Sequence, residues 1–194
     1  MNALKNVELT KLGQEYLKII DDCKILTGDL SDEEINYRPG SGNWSIAECI
    51  QHLTVTNNEY YEQALPAIEK GILKRKFSDD PIKLSFIGKI FMKFEPPPKK
   101  KFKNPKIFSP KPNPNKLFDK EQVVKDFITS KMRMIELIEK ADGLDKNKVK
   151  LHSPVNRLIR VKLGDYFKTM APHDRRHLWQ ASQIKNSPDF GNIS

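Results

Sequence analysis

Cysteine is nearly absent from this chain, and its scarcity sets the first limits. Two cysteines, Cys23 and Cys49, in 194 residues are too few and too widely spaced for a disulfide framework or a Cys-x-x-Cys site. No charged and apolar leader precedes them, so the expected compartment is a reducing cytoplasm. Long hydrophobic runs are missing as well. None approaches the roughly 20 residues that a membrane-crossing helix needs, so no membrane span is expected. Sustained alternation of apolar and polar residues is a third absence, and it removes the usual signal of half-buried strands. What remains is helical periodicity, spread over a length that suits a single domain, 1–194, able to bury a core without disulfide staples or a structural metal.

Acidic residues are scarce in one region only. Residues 73–116 hold thirteen Lys and Arg against three Asp and Glu, a local charge of +10, while the whole chain carries +9. The rest is therefore close to neutral, at −1. A groove-reading protein would be expected to range its basic residues along a helix or interleave them with exposed aromatics, whereas these sit in a stretch that also holds eight of the thirteen prolines. That pattern argues for a solvated connection and against a nucleic-acid partner, with a polyanion-binding arm as the alternative. The connection spans about 71–116. Within it Leu84, Ile87, Phe91 and Phe94 predict one short amphipathic helix, and 95–98 with Pro110, Pro112 and Pro114 favour extended polyproline-like backbone. A segment this long is expected to act as a lid or to govern access, contributing little to the core; a membrane-surface role for its lysines and phenylalanines is a further option.

Four helices carry the periodic signal. Leu9, Leu12, Tyr16, Ile19, Ile20 and Cys23 predict a first helix over about 7–26. Ser31 with Glu34 forms a capping box for a short helical turn that Pro39 closes, and Gly40 to Gly42 permits a reversal. Ser45 with Glu48 forms a second capping box and starts a helix running to about residue 70. Asp119 caps a third helix, whose Val123, Phe127, Met134 and Ile138 are buried before Gly143 ends it. A connection containing His152 and Pro154 leads to a last helix over about 164–185, which Pro172 is expected to kink or restart.

Of the four histidines, His173 and His177 lie four residues apart on that last helix and project from one face. This is how a helix aims two imidazoles at one metal ion. His52 lies two turns inside the second helix and could supply a third ligand, leaving a coordination position open as in catalytic sites. The competing reading is an amphipathic helix on which Asp174, Arg175 and Arg176 form a solvated face. His152 is read as a loop histidine apart from the others.

Three blocks resemble the DinB/YfiT-like superfamily of metalloenzymes. They are 30–39 (LSDEEINYRP), 43–53 (NWSIAECIQHL) and 173–180 (HDRRHLWQ), in the order and at the wide separation of that family. The resemblance implies an all-α, four-helix bundle of up-down-down-up connectivity, with the long basic, Pro-rich connection between helices two and three. It also implies a divalent metal held by His52, His173 and His177. Some relatives are thiol transferases that join bacillithiol, mycothiol or glutathione to an electrophile, and relatives often form dimers. The expectation is therefore a metal-dependent thiol S-transferase acting on a small-molecule thiol and an electrophile. Non-catalytic metal-binding or stress-response modules and metal-dependent hydrolases are the alternatives, because a fold does not fix a reaction. Imidazole ligands suit first-row transition ions, with zinc or nickel expected.

The neighbouring residues have more ordinary readings. Glu48 is first a cap, and second a partner for His52. Gln180 either steadies the site or is an ordinary helix residue. Asp174 is expected to reach solvent or a neighbouring arginine. Cys49 is read as a small core contact, with Trp44 and Trp179 as packing residues.

Overall fold

A computed structural model of the chain describes residues 4–40, 42–94, 105–110 and 117–190. These form six α-helices: α1 (Val7–Thr27), α2 (Asp32–Asn36), α3 (Ile46–Leu73), α4 (Phe86–Phe94), α5 (Lys120–Lys140) and α6 (Leu163–Lys185). A 3₁₀ turn, Lys106–Phe108, and a two-stranded hairpin, β1 (Lys150–His152) and β2 (Arg160–Lys162), complete them. The protein is mostly helical, as the periodicity predicts.

The helix starts follow from local chemistry. Ser31 and Ser45 each accept from the amide three residues on, while Glu34 and Glu48 return the bond to the cap amide. Asn6 and Asp119 cap α1 and α5 through their side chains. Each cap satisfies amides that have no partner inside the helix, typically about 1 kcal/mol apiece. Gly40 (φ +143) and Gly42 (φ +78) supply the reversal before α3, in backbone conformations that a side chain would strain.

The four long helices make a closed circuit of contacts. α3 packs on α5 and α6, and α1 packs on the same two. The shared interior is filled by apolar residues at helical spacing, among them Tyr16 and Ile19 of α1, Ile50 and Leu53 of α3, Phe127 and Met134 of α5, and Phe167 and Ala171 of α6. Pro66 and Pro172 lie inside α3 and α6, each of which continues through its proline without a second start.

Two expectations need correction. The segment 144–163 is not a plain connection: β1 and β2 pair antiparallel, Leu151 opposite Val161, and β1 packs on α3. Strands of three residues are too short to show alternation. His152 sits at the end of β1, where its Nδ1–H donates to the Arg157 carbonyl at 2.6 Å. The basic connection is likewise more than a solvated strap. Its Phe108 is 7 % exposed and stacks on Tyr60 of α3, ring centroids 5.9 Å apart. The predicted helix in this connection is present as α4, whereas the polyproline-like backbone expected at 95–98, Pro112 and Pro114 lies outside the described residues.

Candidate metal centre

The second capping box aims the first imidazole. Glu48 accepts from the Ser45 amide at 2.9 Å and from Arg38 Nη2 at 2.6 Å, so its carboxylate is fully used in fixing the start of α3. One turn later His52 points inward and is 1 % exposed. α6 packs on α3 and presents His173 and His177 from consecutive turns. The three rings meet, with centroids 5.3 Å apart for His52 and His173, 4.4 Å for His52 and His177, and 4.8 Å for His173 and His177. One ligand nitrogen from each lies within 4.8 Å of the others.

Hydrogen bonds on the far side of the rings select the tautomers. His52 Nδ1–H donates to the Phe108 carbonyl at 2.6 Å, and His177 Nδ1–H donates to Gln180 Oε1 at 3.2 Å. Both rings therefore present an Nε2 lone pair to the shared space. The 3.4 Å between Nε2 of His52 and Nε2 of His173 matches the edge of a tetrahedron around zinc, about 3.3 Å for Zn–N bonds near 2.05 Å. Burial disfavours the charged rings, as does mutual repulsion. His52 is driven down to about 4, first by desolvation and then by His173. His177 is held well below the ordinary histidine range, first by desolvation and then by His173 and His52. Neutral imidazoles at pH 7 are the ligand form of histidine, and this donor set fits a first-row transition ion.

Behind His173 lies a buried ion pair, which corrects the expectation that Asp174 reaches solvent or a neighbouring arginine. Asp174 is 0 % exposed and pairs through Oδ2 with Lys131 of α5, also 0 % exposed. Lys131 Nζ donates besides to Asn57 Oδ1 at 3.0 Å, and Asn57 Nδ2 to Ser130 Oγ at 3.1 Å. Desolvation pulls the Lys131 ammonium down, and the Asp174 charge opposes that pull. The other carboxylate oxygen, Asp174 Oδ1, and His173 Nδ1 are both buried with no hydrogen-bond partner, and they face each other at 3.9 Å. A proton on His173 Nδ1 suits that oxygen and turns the third Nε2 lone pair toward the other two.

A signal for this pair was present in the sequence. Lys131 falls in register with Phe127, Met134 and Ile138 on the buried stripe of α5, and Asp174 with Phe167, Ala171, Leu178 and Ala181 on that of α6. Opposite charges at core positions of two helices call for each other. Phe108 had no comparable signal, since its contact with His52 spans 56 residues.

The remaining candidates separate cleanly. Trp44 lies over the cluster, its ring 5.1 Å from His52 and 5.9 Å from His177, so it packs on the histidines themselves. Trp179 is 40 % exposed and packs less than expected. Cys49 is buried, and desolvation pushes its thiol far up, which suits a core contact and not a nucleophile. Among the described residues, the three histidines are the one cluster of this kind and no helix is long and apolar enough to cross a membrane.

Neither the curated proteins nor the solved structures compared with this chain include a significant match. The model of one family does match, over residues 16–181. That span opens within α1 and runs past all three converging histidines, and the chain belongs to the DinB superfamily.

Proposed function

We propose that the chain is a single-domain, metal-dependent enzyme in which His52, His173 and His177 hold one divalent transition ion, zinc or nickel. The observation that carries this reading is the convergence of three imidazoles whose outer nitrogens are engaged or matched by Phe108, Gln180 and Asp174. The circuit of contacts among α1, α3, α5 and α6 supports an up-down-down-up four-helix bundle around it.

A thiol S-transfer is the reaction this site supports best. When bound, such an ion supplies Lewis acidity that lowers the pKa of a thiol or water reaching it. The protein's own residues do the positioning. Phe108 and Gln180 lock two rings in one tautomer, Trp44 packs over them, and burial keeps the His52 and His177 imidazoles uncharged. The half-buried His173 and His177 leave the cluster approachable, whereas His52 is closed off. The substrates we propose are a low-molecular-weight thiol such as bacillithiol and a carbon electrophile. The S–H proton passes to solvent, the S–C bond forms, and the leaving group departs with its electron pair. A cytoplasmic location fits thiol chemistry, and a homodimer accords with the resemblance.

The test is a conjugation assay with a panel of small thiols and a chromogenic electrophile, run beside metal titration. Turnover is expected in the loaded wild type, and His173→Ala and His177→Ala should each abolish turnover and metal binding together. Activity that survives metal loss would refute the proposal. A loaded wild type inert with every thiol would favour the non-catalytic metal-binding module.

A further inference from the structure

α4 is inverted relative to an ordinary surface helix. Its inward contact is Gly88, seated on α6 so closely that a Cβ there would meet Asp165 Oδ1 at 2.6 Å. The same carboxylate oxygen accepts from the Ser85 amide at 2.8 Å, and Ser85 Oγ accepts from the Gly88 amide at 3.1 Å. These bonds fix the rotation of the helix. With Gly88 turned in, helical spacing carries Phe86 and Ile90 to the opposite side and Ile87 and Phe91 to one flank, and the four are 78, 37, 60 and 55 % exposed. Lys89 and Lys93 flank that face and are exposed too. A domain normally turns the apolar stripe of a helix toward its core. Here a contiguous apolar face, not a scatter of single residues, is held outward.

Charge selects the occupant. α4 lies inside the stretch 73–116, with its thirteen Lys and Arg and three Asp and Glu. A second copy would bring two such stretches, each at +10, into contact. It would also gain little area, since four side chains of this size offer roughly half of the 800 Å² per partner that a stable interface takes. Nucleic acid would satisfy the lysines but offers no apolar phase for two phenylalanines and two isoleucines. One surface meets both demands, an anionic bilayer, whose headgroups attract lysines while its acyl boundary takes up apolar side chains.

We propose that α4 is a peripheral docking element for anionic lipid surfaces, with Phe86, Ile87, Ile90 and Phe91 entering the headgroup region and Lys89 and Lys93 supplying attraction. This does not depend on the metal reading. It places the domain against a membrane without crossing it.

The experiment is co-sedimentation of the full chain with vesicles of phosphatidylcholine alone or mixed with phosphatidylserine. Partitioning is expected only with the mixed vesicles and should weaken as salt rises. The double variant Phe86→Ser with Phe91→Ser should weaken it about tenfold or more. Lys89→Gln should weaken it about fivefold. Thermal melts of both variants should match wild type, because all three side chains lie in solvent. The proposal is overturned by absence of binding to mixed vesicles, or by a double variant that binds as wild type does. It is equally overturned by a solution dimer that the double variant breaks while vesicles capture nothing, or by retention on DNA without vesicle binding.

Discussion

The histidine cluster and α4 break the usual rule of burial in opposite directions. Around the cluster, polar and charged groups are inside: His52, Lys131 and Asp174 are each at most 1 % exposed. On α4, two phenylalanines and two isoleucines are outside. Each departure costs stability unless something repays it. At the cluster, most of the repayment is internal, through the Lys131–Asp174 pair, the Phe108 carbonyl and Gln180, and what is left over is three lone pairs aimed at one point. At α4 nothing within the described residues repays it. The comparison teaches that an unsatisfied residue set is best read by the chemistry it leaves unmatched: lone pairs call for a cation, and an apolar face flanked by Lys89 and Lys93 calls for an anionic surface.

The ion pair gives the largest effect by which to break this comparison. Asp174→Ala or Lys131→Ala should each destabilise the protein by about 3–5 kcal/mol, because either leaves an uncompensated buried charge. The double variant Lys131→Met with Asp174→Leu should recover much of that loss in urea unfolding. If the single variants are as stable as wild type, the pair is not buried as described, and the contrast with α4 loses one side.

Phe108 sharpens the comparison, since it comes from the same basic connection as α4 yet faces inward. Phe108→Ala should cost about 3 kcal/mol by the loss of a buried ring. Deleting residues 99–111 removes Phe108 with it and should lower the melting temperature, where a wholly solvated strap would leave it unchanged.

Acid should act on the cluster and spare α4. His52 is held at about 4 in the fold against 6.5 for an ordinary histidine, chiefly by desolvation. A group whose pKa is depressed by folding favours the native state above its unfolded pKa. Its contribution is therefore intact above pH 6.5 and is lost as the pH falls toward 4, a loss of about 3 kcal/mol for the metal-free protein. His52→Gln should flatten that part of the stability curve. The smallest effect is expected from Cys49→Ala, which should cost about 1 kcal/mol through a small cavity and leave metal binding unchanged.

The sequence made the long elements and the three histidines legible and left their supports hidden, for physical reasons. Helices of 21 to 28 residues repeat the apolar period many times, and capping boxes such as Ser45 with Glu48 mark their starts within one turn. His173 and His177 are related by helix geometry alone, so their pairing needs no tertiary information. The hairpin at 150–162 is invisible in the sequence because three-residue strands carry no period. Phe108 reads as part of a solvated strap because proline and lysine dominate its surroundings, and the carbonyl that orients His52 belongs to the backbone, which leaves no trace in residue type. Asp174, beside Arg175 and Arg176, reads as a residue turned to solvent or a neighbouring arginine, although its register with Leu178 and Ala171 puts it on the buried stripe.

The central claim, that the converging imidazoles form a metal site, is tested most directly by metal analysis of protein purified without a nickel column, with His173→Ala prepared in parallel. The account predicts about one zinc or nickel per wild-type chain and a near-empty, folded His173→Ala. A wild type that carries no transition metal and takes up none on titration, or a variant that retains it in full, would contradict the claim.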